Sequence, residues 1–164
     1  MPPIIIADAT GLLGIHRLAT PSRYYDLYEA LTDRLEAGSL RFPREVVDEL
    51  RVINRAEYTA AWASGLGSFK DLWTSEIVYL RQVMTLVSGL GYAEGFDSLD
   101  GQDPSIAFVA RMCFDLQAQG VEFYVLTTDF GSGPLSPTMD QICASAGWKT
   151  ISPQDCVTHL SLPI

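Results

Sequence analysis

The sequence predicts an α/β domain with a mostly parallel sheet, on three observations. The apolar run Ile4-Ile5-Ile6-Ala7 reads as a buried strand closed by Asp8, and the run Val121 to Thr128 reads as a second one closed by Asp129. Segments with apolar residues at helical spacing lie between and after them. Strands alternating with helices require right-handed crossovers, which pair the strands in parallel.

The elements follow in order along the chain. Residues 3–8 form the first strand, followed by a turn expected at Thr10-Gly11. Residues 21–37 read as a helix with Pro21 in its first turn, Tyr24, Leu27, Leu31 and Leu35 as its apolar stripe, and Gly38 after its end. Leu40-Arg41-Phe42 is a short strand candidate. Pro43 opens a second helix with Val46, Val47, Leu50 and Ile53 inside and with Glu45 and Glu49 sharing a face. The stretch 58–90 is helical in character, broken at Gly65-Leu66-Gly67, and its second part runs from Glu76 to Val87. A loop rich in Gly and Asp over 88–103 leads to Asp103 as N-cap and Pro104 as first helical residue, and that helix continues to Gly120. Residues 131–137 read as a flexible turn. A helix over 137–146 ends at Gly147, residues 148–151 form a short strand, and Ser152-Pro153 opens the last helix.

The 164 residues make one domain, with no boundary visible between 1 and 164. At 48% apolar and 19% charged residues, the chain can fill a core and does not have the composition of a disordered one. No apolar run approaches the roughly 20 residues needed to span a bilayer. No basic residue precedes Arg17 and Asp8 interrupts the N-terminal apolar stretch, so a signal peptide is not expected and a cytoplasmic protein is. Cys113, Cys143 and Cys156 are widely spaced, form no C-x-x-C pair, and read as reduced, buried thiols. The net charge of −9 disfavours a long duplex partner and favours a short or single-stranded substrate, or a basic partner protein.

Asp8, Glu49, Asp103 and Asp129 stand at or near the ends of elements. The C-terminal edge of a parallel sheet is where such folds bind ligands. Carboxylates gathered there would repel one another without a cation, and Mg²⁺ or Mn²⁺ takes hard oxygen ligands of this kind. Bound divalent ions make water nucleophilic and offset charge on a phosphodiester. Thr10 and Thr128 are the expected hydroxyl neighbours. Glu45 and Asp48 are rivals of Glu49, and Asp97 and Asp100 are rivals of Asp103. Asp103 has a plainer role as a helix cap. Asn caps about as well as Asp but ligates Mg²⁺ poorly, so Asp103→Asn is expected to leave the melting temperature unchanged or raised and to remove metal-dependent activity. Arg81 and Arg111 are weaker candidates for phosphate contact, and His16 reads as a packing or turn residue. Trp62, Trp73 and Trp148 read as core or interface aromatics.

Four segments together resemble the PIN-domain ribonucleases. Ile4-Ile5-Ile6-Ala7-Asp8-Ala9-Thr10 is similar to that family's opening strand with its Asp-x-Asn/Ser/Thr motif. Pro43-Arg44-Glu45-Val46-Val47-Asp48-Glu49-Leu50 is similar to the second motif, and Asp103-Pro104-Ser105-Ile106-Ala107 to the third. Val125-Leu126-Thr127-Thr128-Asp129-Phe130 resembles the fourth, a Thr-x-Asp at a strand end. The resemblance implies a three-layer α/β/α PIN-like fold and Mg²⁺- or Mn²⁺-dependent RNA cleavage by Asp8, Glu49, Asp103 and Asp129. It also implies a homodimeric toxin neutralised by an antitoxin protein. Ala9, Gly11, the long 55–100 segment and the Gly-Ser-Gly after Asp129 depart from the family pattern. A catalytically weak or inactive module of the same fold, engaging a basic partner protein, is the alternative. A phosphatase with Asp8 as nucleophile is a third reading, but Thr10 occupies the place where such enzymes need a second Asp.

Overall fold

A computed structural model describes residues 2–53, 56–66, 79–96 and 103–164. Gly67, Trp73, the helix start at Glu76-Ile77, and the rival acids Asp97 and Asp100 lie outside the described residues.

Four short strands, β1 (Ile4–Ala7), β2 (Leu40–Arg41), β3 (Phe123–Leu126) and β4 (Thr150–Ile151), form one all-parallel sheet in the order β2-β1-β3-β4. The helices are α1 (Ala9–Leu18), α2 (Tyr24–Glu36), α3 (Arg44–Val52), α4 (Glu57–Ser64), α5 (Leu80–Gly89), α6 (Ser105–Ala118), α7 (Met139–Ala146) and α8 (Pro153–Leu160). They complete a three-layer α/β/α arrangement. The centre of the sheet is buried: Ile5, Ile6 and Val125 are fully enclosed, as strands covered by helices on both faces require.

The strand order places β1 and β3 side by side, with the chain leaving β1 toward β2 and β3 toward β4. That divergence opens a crevice beyond the C-terminal ends of β1 and β3. The register pairs Ala7 with Leu126, so the next residues, Asp8 and Thr127, are cross-strand neighbours at its floor.

The chain does not turn at Thr10-Gly11 as expected. It enters α1, with Asp8 as N-cap accepting from the Gly11 amide. Two glycines hide this helix from a propensity reading, yet each permits a close approach. A Cβ on Gly11 would lie 2.3 Å from the Leu126 carbonyl oxygen, and one on Gly14 would lie 2.6 Å from the Pro153 ring. The first turn of α1 thus rests directly on the end of β3, and its middle on α8.

Three other boundaries differ from expectation. α6 begins at Ser105, with Pro104 rather than Asp103 at the cap position and no side-chain cap bond. Residues 121–122 and 127–128 flank β3 rather than extend it, and its ordered pairing is confined to four residues. The 131–137 segment is fastened: Tyr92 donates to the Gly133 carbonyl at 2.7 Å, and the Thr138 hydroxyl donates to the Gly131 carbonyl at 2.9 Å. A Thr138–Gln141 capping box then starts α7, and left-handed Gly147 ends it.

All three cysteines are free and buried, and burial pushes the Cys143 and Cys156 thiols up to about 12. Among the described residues, no helix is long and apolar enough to cross a membrane.

Gly11→Ala is expected to destabilise the protein by about 2 kcal/mol or more, because the methyl overlaps backbone that cannot move aside. Urea unfolding measures it. A loss below about 0.5 kcal/mol would show that α1 does not rest on β3 as described.

Candidate metal centre at the sheet crossover

Asp8 is fully buried at the end of β1. Its Oδ1 accepts from the Gly11 amide and the Thr10 hydroxyl, each at 2.8 Å. Its Oδ2 accepts a short hydrogen bond from the Thr127 hydroxyl. Thr127 is itself oriented by the Asp129 amide, which donates to its hydroxyl at 3.0 Å. The Thr128 amide donates to the Thr10 hydroxyl oxygen at 3.0 Å, locking the two strand ends together. The hydroxyl partner of Asp8 on β3 is therefore Thr127, not Thr128. The Thr128 hydroxyl instead reaches the Thr10 carbonyl at 3.4 Å. Extending the parallel register one residue past Ala7 and Leu126 identifies Thr127, and that register was the missing information.

Burial pushes the Asp8 carboxyl up from 3.8 to about 6, against the lowering effect of hydrogen bonds from Thr127, Gly11 and Thr10; the charge of Asp129 raises it further. Desolvation outweighs three hydrogen bonds here, a strain typical of carboxylates at working sites.

Glu49 reaches the same place from α3. The Ser105 hydroxyl, at the start of α6, donates to its Oε2 at 2.6 Å. Asp129 arrives from the end of β3, and its Oδ2 accepts the Met139 amide at 2.9 Å, where the positive end of α7 favours a carboxylate. Asp8, Glu49, Asp129 and Thr10 line one cavity of about 420 Å³. Pro104 and Ile106 close one side, and the fastened segment from Gly133 to Thr138 closes another. Among the described residues, neither lysine nor arginine lines it.

Asp103 does not line that cavity. Its carboxylate pairs with Arg111 at 3.5 Å. The Arg111 side chain is only 8% exposed and lies over the Phe108 ring, 4.4 Å from its centroid. Arg111 thus answers an acid just before its own helix instead of facing a phosphate, and its Nε has no hydrogen-bond partner. Arg81 is exposed on α5. Asp48 is exposed and paired with Arg51 at 3.7 Å, and Glu45 is not on the cavity wall. Of the acids on α3, only Glu49 joins the site.

Comparison with models of known families, with curated proteins and with solved structures finds no match. The chemistry has to be read from the site itself.

The donor set is hard oxygen throughout, suited to Mg²⁺ or Mn²⁺ and not to a soft metal. Among the described residues, no three His, Cys, Asp or Glu side chains stand close enough to form a ready-made ligand shell. Both oxygens of Asp8, and one oxygen each of Glu49 and Asp129, are held by protein donors instead. Mg²⁺ takes one or two carboxylates and keeps several of its waters, so a cavity rimmed by spaced acids suits the hydrated ion.

Two stability measurements follow. Asn at position 8 keeps the Oδ1 acceptor and turns its amide toward Thr127, whose hydroxyl can rotate to Thr10, 3.3 Å away. The raised carboxyl means that the contribution of Asp8 to wild-type stability is fully present below 3.8 and is lost as pH rises through about 6, a loss of about 3 kcal/mol from a shift of that size. In metal-free buffer, Asp8→Asn is therefore expected to be the more stable protein at pH 8, with the advantage gone at pH 3.5. Equal stability across that range would show that the carboxylate is not strained. Asp103→Asn is expected to lower stability by about 1–2 kcal/mol, because it leaves a buried guanidinium without its counter-charge. An unchanged melting temperature would restore the capping role.

Proposed function

We propose that this chain is a Mg²⁺- or Mn²⁺-dependent endoribonuclease, the toxin of a toxin–antitoxin pair, acting as a homodimer and neutralised by an antitoxin protein. One observation carries the catalytic reading: three acids from separate elements line a cavity whose described wall has no basic side chain. A phosphodiester approaching such a wall needs positive charge that the described lining does not supply, as a bound dication would.

Asp8, Glu49 and Asp129 would hold the ion, with Asp8 as the fixed point. When bound, the ion supplies a nucleophilic water and stabilises charge on the phosphate. The protein's part is positional. Thr127 and the α1 amide keep Asp8 from rotating. Ser105 fixes Glu49, and the α7 terminus fixes Asp129. Pro104, Ile106 and the exposed Leu135 give the cavity partly apolar walls. The crevice and the absence of lining cations among the described residues favour a single strand over a duplex, whose binding draws on lysine and arginine contacts.

A second reading, a silent module of this fold that engages a basic partner, is favoured by Asp103, whose charge Arg111 already meets. Metal titration separates the two readings. Glu49→Gln keeps an acceptor for Ser105 while removing the charge. Incubated with single-stranded RNA and Mn²⁺, the wild type is expected to cut and to stop on chelation, and Glu49→Gln is expected to lose about 10–100-fold of the rate. Calorimetry showing no divalent-ion binding, together with no cleavage of any RNA offered, would reject the nuclease.

A further inference from the structure

A second concavity lies between α2 and α4, and it shares no lining residue with the acidic cavity. It is a groove of about 460 Å³, walled by Tyr24, Tyr28, Tyr58 and Trp62, with Glu29 and Asp33 along its length. The rings pack on one another: Tyr24 and Tyr58 have centroids 4.9 Å apart, Tyr28 and Tyr58 5.3 Å, and Tyr28 and Trp62 5.2 Å. Hydrogen bonds fix them from behind. The Trp62 indole donates to the Thr32 hydroxyl at 3.0 Å, and the Tyr28 hydroxyl meets both Thr59 and His16 Nδ1 at 2.7 Å. Tyr58 is nonetheless 50% exposed and neighbouring Tyr25 75% exposed.

Ring packing alone explains Tyr28 and Trp62, but not why tyrosines remain open to solvent along a groove edged by carboxylates. Aromatic faces attract cations, and a guanidinium both stacks on such rings and forks onto a carboxylate. Glu29 and Asp33 are four residues apart, so they project from one face of α2 roughly 6 Å from each other along its axis. Their charge, and the net −9 of the chain, oppose a nucleic-acid backbone and suit a basic ligand. The preset rings lower the ordering cost of binding.

We propose that this groove docks a segment of a partner protein that carries arginines one helical turn apart, with one guanidinium over the tyrosine–tryptophan wall and its neighbour on Glu29 or Asp33. The site needs no metal and stands apart from the nuclease reading.

The test uses the full chain and a blocked helical peptide of alanine and glutamine with two arginines four residues apart, titrated by calorimetry at 0.15 M salt. Its control replaces both arginines with citrulline, which keeps the shape and removes the charge. The expected result is saturable binding of the arginine peptide, weakened at least tenfold in the citrulline peptide. Tyr58→Ala and the double variant E29Q/D33N should each weaken it at least tenfold too. Both variants alter exposed side chains, and circular dichroism confirms that they fold. Chelator should leave binding unchanged, so loss of nuclease activity and loss of docking are separately readable. No binding, equal binding of the two peptides, or wild-type affinity in both variants would overturn the proposal.

Discussion

The Asp8 carboxylate is the point on which the architecture closes. One of its oxygens starts α1 through the Gly11 amide, and the other is held by Thr127 from the end of β3. The same side chain therefore couples a strand, the next helix and the neighbouring strand more than a hundred residues away. It does so at the switch point of the sheet, where divergent chain paths leave space for a ligand. Its net cost when ionised is about 3 kcal/mol, in which desolvation outweighs the three hydrogen bonds, judged from a carboxyl held near 6. A purely structural cap would not need this strain, because Asn or Ser caps a helix as well. The core can offset it: each fully buried Ile or Leu contributes roughly 1.5–3 kcal/mol, and Ile5, Ile6 and Leu126 flank the site.

The other acids show how position decides chemistry. Glu49 and Asp129 each give one oxygen to a protein donor and still border the cavity. Asp103, two residues before Ser105, is drawn instead to a buried guanidinium. Two residues along the chain separate a hydroxyl that supports the site from an acid that pairs with α6. Arg111 in turn is occupied by Asp103 and Phe108, which leaves the cavity without a basic side chain among the described residues.

Much of this was legible from the residues alone. The Ile4–Ala7 and Phe123–Leu126 runs have the apolarity of strands covered on both faces, and their alternation with helical segments predicts the parallel sheet. Asp8 and Asp129 were legible for the same reason, as acids that end such strands. α1 was not legible, because Gly11 and Gly14 lower helix propensity and their value appears only once β3 and Pro153 are in place. Thr127 and Thr128 are indistinguishable until the register assigns one of them to Asp8. The Asp103–Arg111 pair spans two helical turns, and reading it required knowing which face of α6 is buried. The aromatic groove was invisible because its walls come from two helices, and the tyrosines on each look like an ordinary core stripe.

The most direct measurement follows the ¹³C carboxyl resonance of Asp8 through a pH titration, with and without saturating Mg²⁺. Without the ion, the resonance should titrate near 6. With it, the midpoint should fall into or below the ordinary carboxylate range, with the Asp129 resonance moving as well. A midpoint unmoved by Mg²⁺ would contradict the account, because it would mean that the acids around the crossover of the sheet do not share a cation.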